Sequence, residues 1–394
     1  MKWLKKCRNR YLAHEYKLIN FIRGGIKMKR NFDGYPSFKL SQRPFFSIII
    51  PCYNSHKTIA KLLQSIADQD MEDEIEVIIS DDCSPDQSYL NIVDQFTDEL
   101  SIRLVQTDYN FAPGNTREKG VSVAEGIWVL FADHDDEFIP GTLKQIKEEL
   151  IRTGEQYYAI ANFIEQDAET GEKIREMIGT RNWNHAKFYN LDNFWKRYDI
   201  HFKKDLLTHE DIYISSVVNC AIQDANGDNP LHINIFCYIW NNRPTTISRE
   251  IYGNHSFLES FFKDYIESTA RVYLERFIND QCDPQYAVHS MIEVLLYCYF
   301  YTESFKFHHP LDYIRENDDE CRRLLIDVKE ATGITNKFIW DYAAQNDADL
   351  YVKVRDAASI GAGPYIEEKT FEQWLDFLHR DLRTRTTMSD AMHK

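Results

Sequence analysis

No stretch of this 394-residue chain reaches the ~18 consecutive apolar residues that a bilayer-spanning helix needs, so the sequence excludes such a helix. The start also lacks a secretory signal, because charges interrupt each apolar run before a hydrophobic region can form. Cytoplasmic residence is the expectation that follows. Cysteine occurs eight times, but never as CxxC or at metal-ligand spacing. That disfavours a disulfide framework and predicts reduced thiols, mostly in the core. There is no excess of positive charge: 46 Lys and Arg face 62 Asp and Glu, a net of −16, which argues against a nucleic-acid partner. Internal repeats and low-complexity segments are absent too. What is present is an apolar fraction of 43%, enough for packed cores in two or three domains.

One local exception to the acidic balance lies at the start. Between residues 2 and 30, Lys and Arg face a single acid, Glu15, and are interleaved with Trp3, Leu4, Tyr11, Leu12, Phe21 and Ile22. Two readings stay open: an amphipathic helix for peripheral contact with an anionic membrane surface, or a solvated extension packed on the body.

Between residues 45 and 132, apolar runs and helical periodicity alternate. Phe46–Ile50, Glu76–Ser80, Ile102–Val105 and Ile127–Phe131 read as strands. Ile59, Leu62, Leu63 and Ile66 fall at helical spacing with Ser55 as cap, and Thr116–Ala124 reads as a short helix. Continuous apolar strands joined by helices imply a buried parallel sheet, and ligands bind such sheets beyond the strands' carboxyl ends. The loops to inspect therefore start at Pro51, Ser80, Gln106 and Ala132. Residues 157–250 are mixed, with strands at Tyr157–Phe163 and His232–Trp240 and a helix from near Asp211. From about residue 255 the patterns are helical and rich in Phe and Tyr, above all from Tyr297 to Phe305.

Several residues carry chemistry. Asp133-His134-Asp135-Asp136 puts three carboxylates on the loop after the fourth strand. Such oxygens suit Mg²⁺ or Mn²⁺ when phosphates complete the shell; the bland alternative is a solvated acidic turn. Asp82 ends the second strand, where it either bonds the turn's backbone or accepts the imide N–H of a uracil-type base. Tyr53, in Pro51-Cys52-Tyr53-Asn54, could stack on that base or be an ordinary half-buried ring. Glu210-Asp211 opens a helix, as a cap or as a general base for a hydroxyl. Lys187, Arg243 and Arg249 are phosphate candidates by charge alone.

Together these pieces resemble the family 2 glycosyltransferases of GT-A fold, over roughly residues 45–250. Ser47–Asn54 looks like the family's first strand and base-contacting loop, including Pro51 and Tyr53. Ile78–Asp86 resembles the second strand and its DDGSTD turn, with Cys83 where Gly is usual. Asn110–Gly120 is similar to the segment that would bring Arg117 to the nucleotide, although Pro113 departs from the pattern. Leu130–Asp136 matches the DXD loop, which implies metal binding by Asp135 with Asp133 near the ribose. His185–Tyr189 looks like x-Gly-Lys-Leu-Tyr with Ala186 for Gly. His209-Glu210-Asp211 is similar to the Glu-Asp pair whose Asp is the inverting base. Arg243–Arg249 resembles the segment that closes over the diphosphate.

The resemblance implies an α/β, Rossmann-like GT-A domain at 45–254, with a mostly parallel sheet flanked by helices. An extension at 1–44 precedes it and a helical domain at 255–394 follows. It implies inverting transfer from a nucleotide-diphosphate sugar, a UDP-sugar above others, with Mn²⁺ or Mg²⁺. The acceptor would be a glycan, lipid-linked or other hydroxyl in cell-envelope or capsular synthesis. Asp211 would take the proton with Glu210 beside it, Pro51, Tyr53, Asp82, Arg117 and Asp133 would hold the nucleotide, and Lys187, Arg243 and Arg249 the diphosphate. The helical tail is read as an acceptor-binding or self-association element, or as aromatic side chains filling its own core. The rivals are a non-catalytic module of the same fold and a sugar-phosphate nucleotidyltransferase.

Overall fold

The computed structural model describes residues 42–243, save 111, 182, 204–205, 207–208 and 227–228. Beyond these it describes residue 40, residues 265–305 and 311–335, and residues 338, 339 and 342. The basic residues 2–30 and Arg249 lie outside these residues, as do the side chains of the aromatic run 297–305.

Strands β1 (Phe46–Cys52) and β2 (Ile75–Asp81) are buried along their whole length. With β3 (Ser101–Gln106) and β4 (Trp128–Phe131) they pair in parallel in the order β3-β2-β1-β4. Parallel neighbours need crossovers, and helices supply them. Helix α1 (Ile59–Ala67) buries Ile59, Leu62, Leu63 and Ile66, the stripe read from the sequence. Ser55 does not cap it. A 3-10 turn at Ser55–Lys57 intervenes and Thr58 takes the N-cap position, because the left-handed Asn54 (φ 52°) folds the chain back before the helix starts. After the single turn α2 (Leu90–Val93), helix α3 spans Pro113–Val121 and starts three residues earlier than expected. Proline is favoured at a first helical position, where its fixed φ fits and no N–H is needed. Gly120 lets this helix lie on β1, since a Cβ there would sit 2.5 Å from Ile49.

The second half makes the sheet mixed. It adds β5 (Glu137–Phe138), β6 (Tyr158–Asp167), β7 (Lys173–Met177), β8 (Lys187–Asn190) and β9 (Leu231–Asn242), giving nine strands among the described residues. β6 and β9 are parallel, whereas β8 runs antiparallel between β4 and β6, and β7 folds back on β6. Helix α4 (Thr142–Thr153) covers one face and α5 (Glu210–Asn226) packs with Ile214, Val217, Val218 and Ile222 inward.

The later residues form α6 (Ala270–Ile278), α7 (Pro284–Phe305) and α8 (Leu311–Thr332). Their core takes in Cys220 of α5, and Val272 of α6 joins the sheet-side cluster. The buried Arg276 guanidinium donates to the carbonyls of Tyr198 and Asp199 at 3.0 and 3.1 Å. The helices are thus joined to the body by apolar packing and by a buried cation. Cys52, Cys220, Cys237 and Cys282 are buried free thiols. Among the described residues, no helix is long and apolar enough to cross a membrane.

Candidate active site

The carboxyl ends of β1, β2 and β4 lie side by side, so their loops share one edge of the sheet. Beyond β1, Tyr53 leaves its ring 43% exposed. Beyond β2, Asp82 is almost buried: its N–H donates to Cys52 O at 2.8 Å, and Thr107 Oγ1 donates to its Oδ1 at 2.9 Å. That rigid carboxylate next to an open aromatic ring suits a planar, hydrogen-bonding ligand. Pro51 lies within β1, opposite Ser80, and shapes the loop from below.

Beyond β4 the three carboxylates separate into different roles. Asp136 is 1% exposed; Tyr238 Oη donates to its Oδ2 at 2.7 Å and Asn241 N–H to its Oδ1 at 2.8 Å. It anchors the loop to β9, and burial, then Asp133 and Asp135, push its pKa well up. Asp135 stays accessible, with Arg243 Nε 3.8 Å from its Oδ2. Burial and the nearby Asp133 raise its pKa, against His134 and Arg243. Asp133 is held below the usual carboxylate range: burial opposes this, but the Arg117 guanidinium donates to Oδ1 at 2.7 Å. His185, whose pKa burial lowers to about 4, brings a ring nitrogen within 4.8 Å of oxygens of Asp133 and Asp136.

Arg117 ties the site together. It is 4% exposed on α3, and its other amino group donates to Glu210 Oε1 at 3.0 Å, so one guanidinium joins the acidic loop to the first turn of α5. Asp211 follows, with its Oδ1 accepting from Asn184 Nδ2. Burial, then Glu210, raise the Asp211 pKa to about 7, with Arg117 opposing. Lys187 is 1% exposed and donates to Arg181 O; burial lowers its pKa to about 7, against the pull of Asp211. It is thus a buried neighbour of Asp211. Arg243 meets the acidic loop, and Arg249 lies outside the described residues.

The sequence reading did not single out Asn184, Thr107, Tyr238 or Asn241, which hold the Asp211, Asp82 and Asp136 carboxylates. Their one signal is position: Tyr238 and Asn241 end a strand next to the acidic loop, visible only once β9 is placed there. At two positions the family pattern has glycine and this chain does not, and the two have a common geometry. Cys83 has φ +57° and Ala186 φ +55°, the left-handed region in which glycine is the unstrained choice. For Ala186→Gly, relief of about 1–2 kcal/mol of strain offsets the lost buried methyl and the added unfolded-state entropy. We expect its stability to stay within about 0.5 kcal/mol of the parent, whereas Ala161→Gly, in the fully buried part of strand β6, should lose about 1 kcal/mol or more. Equal losses in urea denaturation would refute the strain argument.

Comparison with known proteins fits this arrangement. The family model described as Glycosyl transferase family 2 matches residues 47–207. This stretch resembles a family 2 glycosyltransferase domain. Poly(ribitol-phosphate) β-N-acetylglucosaminyltransferase TarS of Staphylococcus aureus is 45% identical over 101 residues, 25% of this chain and 18% of that protein. GalNAc(5)-diNAcBac-PP-undecaprenol β-1,3-glucosyltransferase of Campylobacter jejuni is 31% identical over 106 residues, 27% of this chain and 34% of that one. The aligned segments thus span well under two thirds of either relative. The crystal structure of S. aureus TarS 1–349 in complex with UDP-GlcNAc superposes with a TM-score of 0.59 at 23% identity, covering 82% of this chain and 93% of that one. The sheet therefore has the expected GT-A architecture, and the acidic loop and α5 meet through Arg117 at its carboxyl edge.

Proposed function

We propose that the protein is a metal-dependent, inverting glycosyltransferase that moves a sugar from a nucleotide diphosphate, a UDP-sugar above others, to an acceptor hydroxyl. The observation that carries this reading is the Arg117 bridge: it joins Asp133 of the acidic loop, inside the stretch that the family 2 model matches, to Glu210 just beyond that stretch, next to Asp211. A donor site and a proton acceptor are thereby set against each other. Tyr53 and Asp82 would hold the base and Asp133 the ribose.

The acidic loop fits a hard cation. Asp133, Asp135 and Asp136 crowd negative charge into a desolvated loop, and the raised pKa values of the last two record the cost. Asp136 already accepts bonds on both oxygens, so the accessible Asp135 would hold a Mn²⁺ or Mg²⁺. A bound cation supplies charge neutralisation for a departing diphosphate. Arg243 stands beside Asp135 to contact the same phosphates, and Arg249 extends the segment. Buried Lys187 favours the charged form of Asp211, whose pKa it lowers. Asp211 then takes the hydroxyl proton as the acceptor oxygen attacks the anomeric carbon.

One relative named above acts on poly(ribitol-phosphate) and the other on an undecaprenol-linked sugar, which supports a polymeric or lipid-linked acceptor; we place it in the cell envelope, made on the cytoplasmic side with peripheral membrane contact through the basic residues 2–30. The helical tail would serve acceptor binding or self-association.

Thermal shifts with nucleotides test the donor and metal assignments together. Uridine diphosphate should raise the Tm more with Mn²⁺ than without it, because neither ligand alone completes the metal's shell. Asp135→Ala should erase that difference. An equal Mn²⁺-dependent shift in variant and parent would remove Asp135 from the site.

A further inference from the structure

We propose that Asn184 is a positioning residue for the base: its side-chain amide holds one oxygen of the Asp211 carboxylate so that the other meets the acceptor hydroxyl. This rests on the reading of Asp211 as the base.

The loop between β7 and β8 is fixed on both sides of Asn184. The ring of the next residue, His185, stacks on Tyr238 and Trp240 at centroid distances of 5.2 and 5.6 Å. Beyond it, Ala161 N–H donates to Ala186 O at 2.9 Å. Toward the start of the loop, Arg181 O accepts from Lys187 Nζ and from Ser215 Oγ, the latter at 2.8 Å. Ser215 Oγ also lies 2.7 Å from Asp211 O, so its single proton is shared between the two carbonyls and holds the loop beside the first turn of α5. Asn184 is thereby delivered to Asp211 with only 2% of its surface exposed, and Nδ2 donates to Asp211 Oδ1.

The other end of the amide is what points to function. Among the described residues, Asn184 Oδ1 is buried without a hydrogen-bond partner. A side chain retained for folding alone would satisfy both ends of its amide, since an unmet buried acceptor opposes folding. Here the carboxylate alone orients the group, because the reversed amide would set oxygen against oxygen. The charged groups around Asp211 are Glu210 on its own helix, Arg117 from α3, Asp133 from the acidic loop and Lys187 from β8. Among these Asn184 is the neutral donor that fixes which oxygen is engaged. The proton then passes from the acceptor hydroxyl to Asp211 Oδ2. The new bond joins acceptor oxygen to anomeric carbon, and the diphosphate leaves with the electron pair of the broken C–O bond.

The test uses the full chain, with release of nucleoside diphosphate from a panel of nucleotide sugars that includes UDP-N-acetylglucosamine. In Asn184→Ala, kcat should fall by about tenfold to a hundredfold while the donor KM stays within about twofold. The acid limb of its pH profile should move to higher pH, because a donor to the charged form is gone. Asn184→Asp keeps the shape but adds a negative charge, so its limb should move further and its rate should recover in alkali. A substrate-free check is a double-mutant cycle at pH 8: Asn184→Ala should destabilise the parent more than it destabilises an Asp211→Ala background. Parental rates and pH profiles in both Asn184 variants, or equal destabilisation in both backgrounds, would overturn the inference. If Asp211→Asn keeps parental turnover, the base assignment fails first and this inference falls with it. An inactive Asp211→Asn alongside unaffected Asn184 variants condemns Asn184 alone.

Discussion

Asp211→Asn should lower sugar transfer by roughly a hundredfold to ten-thousandfold, the usual reach of a positioned proton acceptor, while leaving donor binding close to parental. The substitution keeps the shape and can still accept a hydrogen bond from Asn184, but the amide cannot take a proton. A helix-capping role for Asp211 would survive the change, because an asparagine caps as well as an aspartate. Turnover therefore separates the two roles. Near-parental turnover in a folded variant would move the base elsewhere, with Glu210 next in line.

The pH dependence gives the same assignment a second handle. With the Asp211 pKa at about 7, the parent's kcat should rise by about tenfold per unit below that value and level off above it. The effect on stability has the opposite slope. Between the ordinary carboxylate pKa and about 7, the folded state holds a proton that the unfolded chain has released. This contribution is complete below the unfolded pKa and is lost as pH rises through the folded value, at up to about 1.4 kcal/mol per unit. Asp211→Asn should flatten that part of the stability curve.

How far the sequence reaches is set by the kind of signal each feature leaves. β1, β2 and β4 were legible because full burial demands unbroken apolar runs, as in Ile48-Ile49-Ile50 and Val77-Ile78-Ile79, and the partly exposed edge strand β3 by its shorter Ile102–Val105 pattern. β8 was not, since Lys187-Phe188-Tyr189-Asn190 opens on a lysine, a residue type that is seldom buried, and β7 carries the exposed Lys-Ile-Arg-Glu-Met of an edge. At the site, motif residues such as Asp82, Asp133, Asp135 and Asp211 stand at strand or helix ends, where the pattern marks them. Asn184 and Tyr238 act across the fold, and nothing local in the sequence records that. Arg117 is intermediate: its resemblance was weakened by Pro113, yet that proline starts the helix that carries Arg117 into the site.

Arg117→Ala should destabilise the fold by about 3–5 kcal/mol, more than a substitution at Asn184, Ala186 or Asp211, because it leaves buried carboxylates without their cation. Asp133 and Glu210 lose their bonds at 2.7 and 3.0 Å, and Asp211 loses the positive charge that offsets its own. The penalty is electrostatic, so its pH dependence can be stated. Without the guanidinium, the depressed pKa of Asp133 should rise, and the variant can then relieve repulsion by binding protons that the parent does not bind. Its stability deficit should therefore be largest near pH 7–8 and shrink as the pH is lowered toward 5. Arg117→Lys keeps the charge but has a single ammonium in place of the fork that spans the two acids, so it should recover part of the stability and little of the activity. Denaturation of the three proteins across that pH range checks this. A constant deficit in Arg117→Ala would mean that Arg117 contributes by packing, and the charge bridge between acidic loop and α5 would lose its place at the centre of the site.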